Sequence, residues 1–226
     1  CHTHDVGGLG PGGQQPKATE VYQEGLQIPG LKIIERGGEM RKDVVELIKK
    51  SVRQPDIFML DVAAKIAACN AMAAKLIETI KEYGIDTVLT LFDQIQRYSE
   101  NLARAKLRTI PDGVWRSVCY VESVREEEPY LRAQVTLVKE GDTLTYDLTG
   151  SSPQSKGSQN CAKPGSISNL LCSYLQCLAW DMPWSEGVWK PVKFIIPKES
   201  IADPVYPAAV SANTPQGVGS LLIRAS

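Results

Sequence analysis

The sequence lacks the features that mark several classes of protein. Its 226 residues carry 25 lysines and arginines against 26 aspartates and glutamates, so a net charge of −1 provides no basic surface for nucleic acid. No run of 18 apolar residues is present, and the chain does not open with the basic and apolar stretches of a signal peptide. We therefore expect neither a nucleic-acid partner nor a membrane partner.

Several binding and catalytic motifs are also missing. The sequence contains no G-x-S-x-G elbow, no G-x-x-x-x-G-K-[ST] nucleotide loop and no C-x-x-C pair. Its six cysteines are widely spread, which favours reduced thiols and a cytoplasmic location. Cys172 and Cys177, five residues apart, are expected on two faces of one helix rather than at a metal.

Three segments of the chain differ in pattern. Residues 1–38 are rich in glycine and proline, which predicts a long, irregular and ordered loop. Residues 39–110 carry apolar side chains at helical spacing, and residues 113–226 change to an alternating, β-rich pattern. The order of elements predicts an α+β fold, with long helices packed against antiparallel strands and long Gly/Pro-rich loops.

The patterns also predict individual elements. Helices are expected near residues 44–52, 57–83, 85–107 and 166–180, and strands near residues 114–124, 131–138, 143–148, 192–196 and 208–212. Ser166 is the expected N-cap of the last helix. In the third helix, spacing predicts an inward face made of Val88, Leu91, Phe92, Ile95, Tyr98 and Leu102.

Both histidines of the chain lie in its first five residues. His2-x-x-Asp5 brings an imidazole and a carboxylate together on non-helical backbone, and Gly7-Gly8 lets the chain turn directly behind them. Such donors suit Mn²⁺, Zn²⁺ or Fe²⁺, but two residues do not complete a metal site. Three roles stay open for His4: it replaces His2 as the ligand, it hydrogen-bonds to Asp5, or it points away from the site.

A second irregular stretch, residues 149–160, is rich in hydroxyl and amide side chains. It lies between a predicted strand and a predicted helix, where backbone N–H groups can receive an anion. The alternative is an ordinary structural crossover. If the loop binds substrate, the side chains expected to contact it are Ser151, Ser152, Gln154 and Asn160.

Several runs resemble the hydantoinase B/5-oxoprolinase family, which includes the large subunits of acetone and acetophenone carboxylases. They are C-H-T-H-D-V-G-G at residues 1–8, T-E-V-Y-Q-E-G-L-Q-I-P at 19–29, D-L-T-G-S-S-P-Q at 147–154, D-M-P-W at 181–184 and P-A-A-V at 207–210. The resemblance spans nearly the whole chain. Because the chain opens with Cys-His inside a motif, we expect residues 1–226 to be one fragment of a larger subunit.

The resemblance implies a divalent metal held by His2 and Asp5 together with a His and an Asp from an upstream segment. It also implies that residues 1–38 form the metal-site loop region. Family enzymes use ATP on a separate actin-like subunit of the hydantoinase A type, and some add a small zinc-binding subunit. Their substrates are small-molecule ketones or cyclic amides, and we therefore expect a hetero-oligomer.

Departures from the family pattern bear on the reaction. Amide-cleaving members tend to carry an Arg and a Gln where this chain has Ala63 and Lys65, and a G-N-x-E-x-S-Q run where it has residues 211–217. These departures favour a ketone carboxylase that uses bicarbonate. The alternatives are a subunit of an ATP-dependent hydantoinase or 5-oxoprolinase, and an inactive scaffold subunit of such a complex.

Overall fold

A computed structural model describes residues 5–128 and 130–211. The opening loop contains one 3-10 turn, Val21–Gln23, and leads into three helices: α1 (Lys42–Ser51), α2 (Pro55–Tyr83) and α3 (Ile85–Arg108). The strands β1 (Gly113–Glu122), β2 (Tyr130–Glu140) and β3 (Thr143–Asp147) follow. Helix α4 (Lys163–Cys177), a 3-10 turn at Glu186–Trp189 and strand β4 (Val192–Ile195) complete the described elements. The predicted α+β class is confirmed.

The four strands form one mixed sheet in the order β1-β2-β3-β4. The pairs β1–β2 and β2–β3 are antiparallel, with Gly113 opposite Lys139 and Thr143 opposite Glu140. The antiparallel pairing expected for the first three strands is confirmed, and strand β4, for which no orientation was predicted, lies parallel to β3. The reason is the long connection through α4, since parallel neighbours require a crossover of this kind.

The main core lies between the sheet, α4 and the C-terminal end of α3. Leu144, Tyr146 and Leu170 are at most 2% exposed, and the Tyr174 hydroxyl donates to the Val188 carbonyl at 2.9 Å. The 3-10 turn at Glu186–Trp189 packs against α3 so closely that a Cβ added to Gly187 would lie 2.0 Å from the Gln96 carbonyl oxygen. Glycine is therefore required at that contact.

A smaller core joins the opening loop to α1 and the first turns of α2. Its buried members are Val44, Ile48, Val52 and Phe58, against which Val6, Leu26, Ile33, Met59 and Val62 pack. This cluster anchors the loop, because apolar burial is favourable in proportion to the area removed from water.

Helices α2 and α3 form a hairpin that turns at Gly84, whose φ of +81° lies in the region favourable to glycine. Much of the hairpin is exposed. Among the described residues, α2 alone is long and apolar enough to cross a bilayer, a test that the core helices of soluble proteins also pass. The expectation of no membrane partner stays a prediction.

Three local predictions were wrong. The N-cap of α4 is Ala162, and Ser166 lies inside the helix, where its hydroxyl donates to the Ala202 carbonyl. Residues 208–211 form no strand, and only Ala208 makes an isolated bridge, to Glu20; residue 212 lies outside the described part. Of the predicted inward face of α3, Val88 is buried and Leu102 half-buried, whereas Leu91, Phe92, Ile95 and Tyr98 are exposed. The other buried residues of α3 are Ser99, Ala103 and Leu107.

Candidate functional site

Asp5 is the residue of the predicted metal motif that the structure describes. Its side chain is 3% exposed, and its two carboxylate oxygens accept N–H bonds from Gly7 at 2.7 Å and Gly12 at 3.2 Å. The Arg53 guanidinium lies 3.6 Å from Oδ1 and donates to the carbonyls of Gly8 and Gly10. The sequence thus builds a fixed, buried carboxylate inside a glycine-rich loop.

The turn behind Asp5 depends on glycine. Gly7 and Gly8 have φ angles of +89° and +83°, and a Cβ on either would lie within 2.8 Å of backbone oxygen atoms of Ser51 or Gln23. This confirms the expected turn after Asp5 and explains why the loop can fold back against α1.

Gln15 holds the same loop from inside. Its buried side chain accepts from the Gly10 N–H at 2.8 Å and donates to the Gly10 carbonyl at 2.7 Å. The Gln15 backbone also exchanges hydrogen bonds with the Ser211 hydroxyl, at 3.0 and 3.1 Å. Residues nearly two hundred positions apart therefore shape one loop.

Glu24 ties the loop to residues 210 and 211. One carboxylate oxygen accepts the backbone N–H groups of Val210 and Ser211. Burial raises the pKa of the Glu24 carboxyl above its ordinary value, and those hydrogen bonds counteract the rise only in part. Tyr22 and Tyr206 add a hydroxyl–hydroxyl hydrogen bond and an edge-on ring contact beside this junction.

Residues 155–160, in the second irregular stretch, contact both the opening loop and residues 205–211. The fully buried Asn160 amide donates to the carbonyls of Ser155, Gly157 and Ala209, and accepts the Ser155 N–H at 2.8 Å. Ser158 donates to the Pro16 carbonyl at 3.1 Å. Three segments distant in sequence, residues 5–24, 155–160 and 205–211, are thereby joined.

The other side chains predicted to contact substrate, those of Ser151, Ser152 and Gln154, also form hydrogen bonds with backbone groups. The Ser151 hydroxyl bonds to both backbone polar groups of Gln134, and the Ser152 hydroxyl accepts the Arg132 N–H at 2.8 Å. The Gln154 side chain accepts the Val205 N–H at 2.7 Å. These bonds shape the loop, and substrate binding by Ser151, Ser152, Gln154 and Asn160 stays a prediction.

The described part of the site fits one ligand of a metal ion. An ionised carboxylate has about four lone-pair positions, and Gly7 and Gly12 occupy at least two of those on Asp5. Within residues 5–128 and 130–211, no three His, Cys, Asp or Glu side chains form a group that could hold a metal. His2 and His4 lie outside the described residues, so the proposed ligand set stays a prediction.

Sequence reasoning missed Gln15 and Arg53 and gave Glu24 no role. No sequence spacing marks Gln15 or Arg53, because the fold alone brings them to their partners, which are the carbonyls of Gly8 and Gly10, the Asp5 carboxylate and the Ser211 hydroxyl. Glu24 lies in the run at residues 19–29 that carried the family resemblance. That run was the one available signal for its contact with residues 210 and 211.

Comparisons with known proteins identify the family of this chain. The family model described as hydantoinase B/oxoprolinase matches residues 1–225. A protein of Pseudomonas sp. (strain NS671), named as the B-type component of a D-/L-hydantoinase, is 31% identical over all of this chain and 40% of its own length. The acetophenone carboxylase delta subunit of Aromatoleum aromaticum is 27% identical over 94% of this chain and 31% of its own length.

Two solved structures share the fold. The ATP-dependent caprolactamase from Pseudomonas jessenii is 28% identical, with a TM-score of 0.88 over 98% of this chain and 38% of that chain. A nucleotide-free acetone carboxylase is 19% identical, with a TM-score of 0.84 over 94% of this chain and 30% of that chain. The chain thus spans well under half the length of these relatives. It belongs to the hydantoinase B/oxoprolinase family.

Proposed function

We propose that this chain is part of the large subunit of an ATP-dependent enzyme that opens a cyclic amide. The observation that carries the proposal is the 31% identity, over the whole chain, to the hydantoinase component from Pseudomonas. The caprolactamase structure, at 28% identity, supports the same reaction class. We weigh these similarities above the departures at Ala63, Lys65 and residues 211–217, which favoured a carboxylase, because the two amide-cleaving relatives have higher identities to this chain, 31% and 28%, than the acetophenone carboxylase subunit at 27%.

In the proposed site, Asp5 is a metal ligand together with His2 or His4 and residues from another segment. A bound Mn²⁺, Zn²⁺ or Fe²⁺ would supply Lewis acidity toward the carbonyl or phosphorylated oxygen of the substrate. The N–H groups of Gly7 and Gly12 orient the Asp5 carboxylate, and the Arg53 guanidinium balances its charge inside the loop. Gln15 and Glu24 keep that loop attached to residues 210 and 211.

The proposed assembly is a cytoplasmic hetero-oligomer. ATP would bind an actin-like partner subunit of the hydantoinase A type, with or without a small zinc-binding subunit. Phosphorylation of the amide oxygen on that partner would make the ring carbonyl a better electrophile. The hydantoinase and acetophenone carboxylase relatives are named as components of larger enzymes, which supports this organisation.

Ketone carboxylation with bicarbonate is the second candidate. It is favoured by the 27% identity to an acetophenone carboxylase subunit over 94% of the chain. The two reactions are separated by measuring ATP turnover of the purified complex with hydantoin, 5-oxoproline or caprolactam, and separately with ketone plus bicarbonate. Stimulation by ketone plus bicarbonate alone would overturn the cyclic-amide proposal.

The role of Asp5 is tested by Asp5→Asn in the full-length subunit, assembled with its partner. We expect a fall of about tenfold or more in bound divalent metal and in substrate-stimulated ATP turnover, because an amide lacks the charge of a ligating carboxylate. Elemental analysis and a coupled ATPase assay measure both quantities. Asp43→Asn, which alters an exposed aspartate paired with Arg41 on α1, is the matched control.

His2→Ala serves as a second variant, since it changes the other proposed ligand and none of the described residues Gly7, Gly12 and Arg53 that contact Asp5. Retention of metal and activity in both Asp5→Asn and His2→Ala would contradict a metal site here. Absence of divalent metal from the full-length wild-type subunit, with the activity of the complex unchanged in both variants, would favour the third alternative, an inactive scaffold subunit.

A further inference from the structure

One face of helix α2 has the spacing of a coiled-coil seam. Along it, eight residues follow one another at alternating steps of four and three positions, which keeps them in a single line on the helix surface. We call this line the α2 stripe. Its members are Asp56, Leu60, Ala63, Ala67, Asn70, Ala74, Ile77 and Lys81.

The α2 stripe lies on the side of the helix that the described chain leaves uncovered. All eight members are exposed, with Leu60 at 70% and Ile77 at 53%. Phe58, which packs in the smaller core, lies two positions from both Asp56 and Leu60, and side chains two positions apart point to different sides of a helix. In the most apolar 18-residue stretch of α2, 6% is buried. A helix that is apolar on every side is normally covered by other protein.

The α2 stripe is complementary to a second, antiparallel copy of itself. A two-fold axis midway between positions 67 and 70 maps the alternating spacing onto itself, and antiparallel coiled coils meet in this way. The facing residues of the two copies are then Asp56 with Lys81, Leu60 with Ile77, Ala63 with Ala74, and Ala67 with Asn70. Each end of the seam therefore joins a carboxylate to an ammonium, and an apolar pair follows it toward the centre.

Charge and side-chain size select this arrangement. Two copies running parallel in register would set Asp56 beside Asp56 and Lys81 beside Lys81, and such like-charge contacts are unfavourable. The alanines near the axis are small, and the distance between packed helix axes falls with the size of the side chains at the contact. Asn70 is a single polar residue in the seam, a feature that fixes register in coiled coils. The match at both ends by one pair of residues is the property of an isologous interface.

We propose that the α2 stripe is an interface between two copies of this subunit, which pair through antiparallel α2 helices about a two-fold axis. Because the stripe lies on the side of α2 away from Phe58, pairing leaves the opening loop and its Asp5 carboxylate uncovered. The interface would join two candidate metal sites in one symmetric assembly. The proposal concerns assembly and does not depend on which reaction the enzyme performs.

The test is disulfide crosslinking of the full-length subunit, assembled with its partner. In the double variant Ala63→Cys/Ala74→Cys, the two positions face each other across the axis, so mild oxidation should link two copies. Non-reducing gels detect the linked copies, and mass spectrometry identifies the peptide that joins positions 63 and 74. Ala64→Cys/Ala73→Cys, one position along the same exposed helix, points away from the seam and is the matched control. The native Cys69, exposed on another side of α2, should form no link between copies.

Charge exchange provides a second test in the same cysteine background. Asp56→Lys alone, or Lys81→Asp alone, sets like charges together at both ends of the seam, and we expect the rate of linkage to fall by at least about tenfold. A mixture of the two variants should regain the wild-type rate, because each copy then supplies the charge that the other lacks. This recovery also shows that both variants are folded.

Equal linkage in the 63/74 and 64/73 pairs overturns the proposal, as does a mixture of charge variants that links no faster than either variant alone. Absence of linked copies, with positions 63 and 74 protected from a soluble thiol reagent, also overturns it and assigns the stripe to another segment of the same subunit or to a different partner. Absence of linkage with both positions reactive overturns it as well, and shows that the stripe faces solvent.

Discussion

The sheet body, made of β1 to β4 with α4, and the hairpin of α2 and α3 bury their apolar residues to very different extents. In the sheet body Leu144 and Leu170 are at most 2% exposed, whereas in the hairpin Leu60 and Met72 are 70% and 72% exposed. Both regions are rich in apolar residues. The difference is that the described chain provides a surface opposite the sheet and provides little opposite the hairpin.

This comparison shows what helical periodicity can and cannot predict. The pattern correctly predicted that α3 is a helix ending near residue 108. It was right about Val88 and wrong about Leu91, Phe92, Ile95 and Tyr98, because burial in the second half of α3 follows the position of the neighbouring sheet and of the 3-10 turn around Gly187. Leu107 is buried in the core beside the sheet for that reason, whereas Val88, which belongs to the predicted face, lies among residues of α2.

The largest effect is expected in the sheet body. Leu144→Ala should lower the free energy of unfolding by about 2–5 kcal/mol, because it leaves a cavity in a closely packed core. Leu89→Ala, at a position 54% exposed in α3, should change it by no more than about 0.5 kcal/mol. Urea unfolding followed by circular dichroism measures both changes, and equal losses would contradict the contrast between the two regions.

A smaller, pH-dependent effect is expected at the edge of the sheet body. Asp112 accepts from the buried Lys139 ammonium at 2.7 Å and from the Gly141 N–H at 2.9 Å. The Lys139 hydrogen bond, followed by the Gly141 bond, lowers the pKa of the Asp112 carboxyl below its ordinary value. The ionised carboxylate therefore stabilises the fold above its unfolded pKa, and this contribution disappears as pH falls through the folded pKa.

Asp112→Asn should accordingly lower the thermal midpoint near neutral pH, and the difference from the wild type should shrink as the pH falls below about 4. Thermal melts from about pH 2.5 to 7 measure this trend. Asp93→Asn, an exposed aspartate on α3, is the control and should show a smaller change. A difference that grows on acidification would contradict the assigned sign.

The smallest effect is expected at the exposed face of the hairpin. Met72→Gln should change the free energy of unfolding by no more than about 0.5 kcal/mol, because the side chain is already 72% exposed. The same urea titration measures it. A loss comparable to that of Leu144→Ala would show that another surface covers this face in the protein tested.

At the candidate site, too, features set by neighbouring residues were predictable and contacts between distant segments were not. The spacing of His2 and Asp5 indicated a carboxylate beside an imidazole, and the glycines after Asp5 predicted its turn. The hydrogen bonds that hold the Asp5 loop in place were not predictable. They join residues far apart in sequence, since Gln15 contacts Ser211 and Glu24 contacts Val210. Hydrogen bonds of this kind leave no periodic signal in the sequence.

The sequence by itself determined the α+β class, the two long helices on either side of residue 84, the strands near residues 131–138 and 143–148, and the glycine turn after Asp5. These follow from local backbone preferences and from side-chain periods of about 3.6 and 2 residues. Tertiary structure alone decided that β4 runs parallel to β3, which face of α3 is buried, and that residues 5–24, 155–160 and 205–211 meet. Each depends on where distant segments lie, because a side chain is buried, or a backbone N–H satisfied, by whatever the fold places against it.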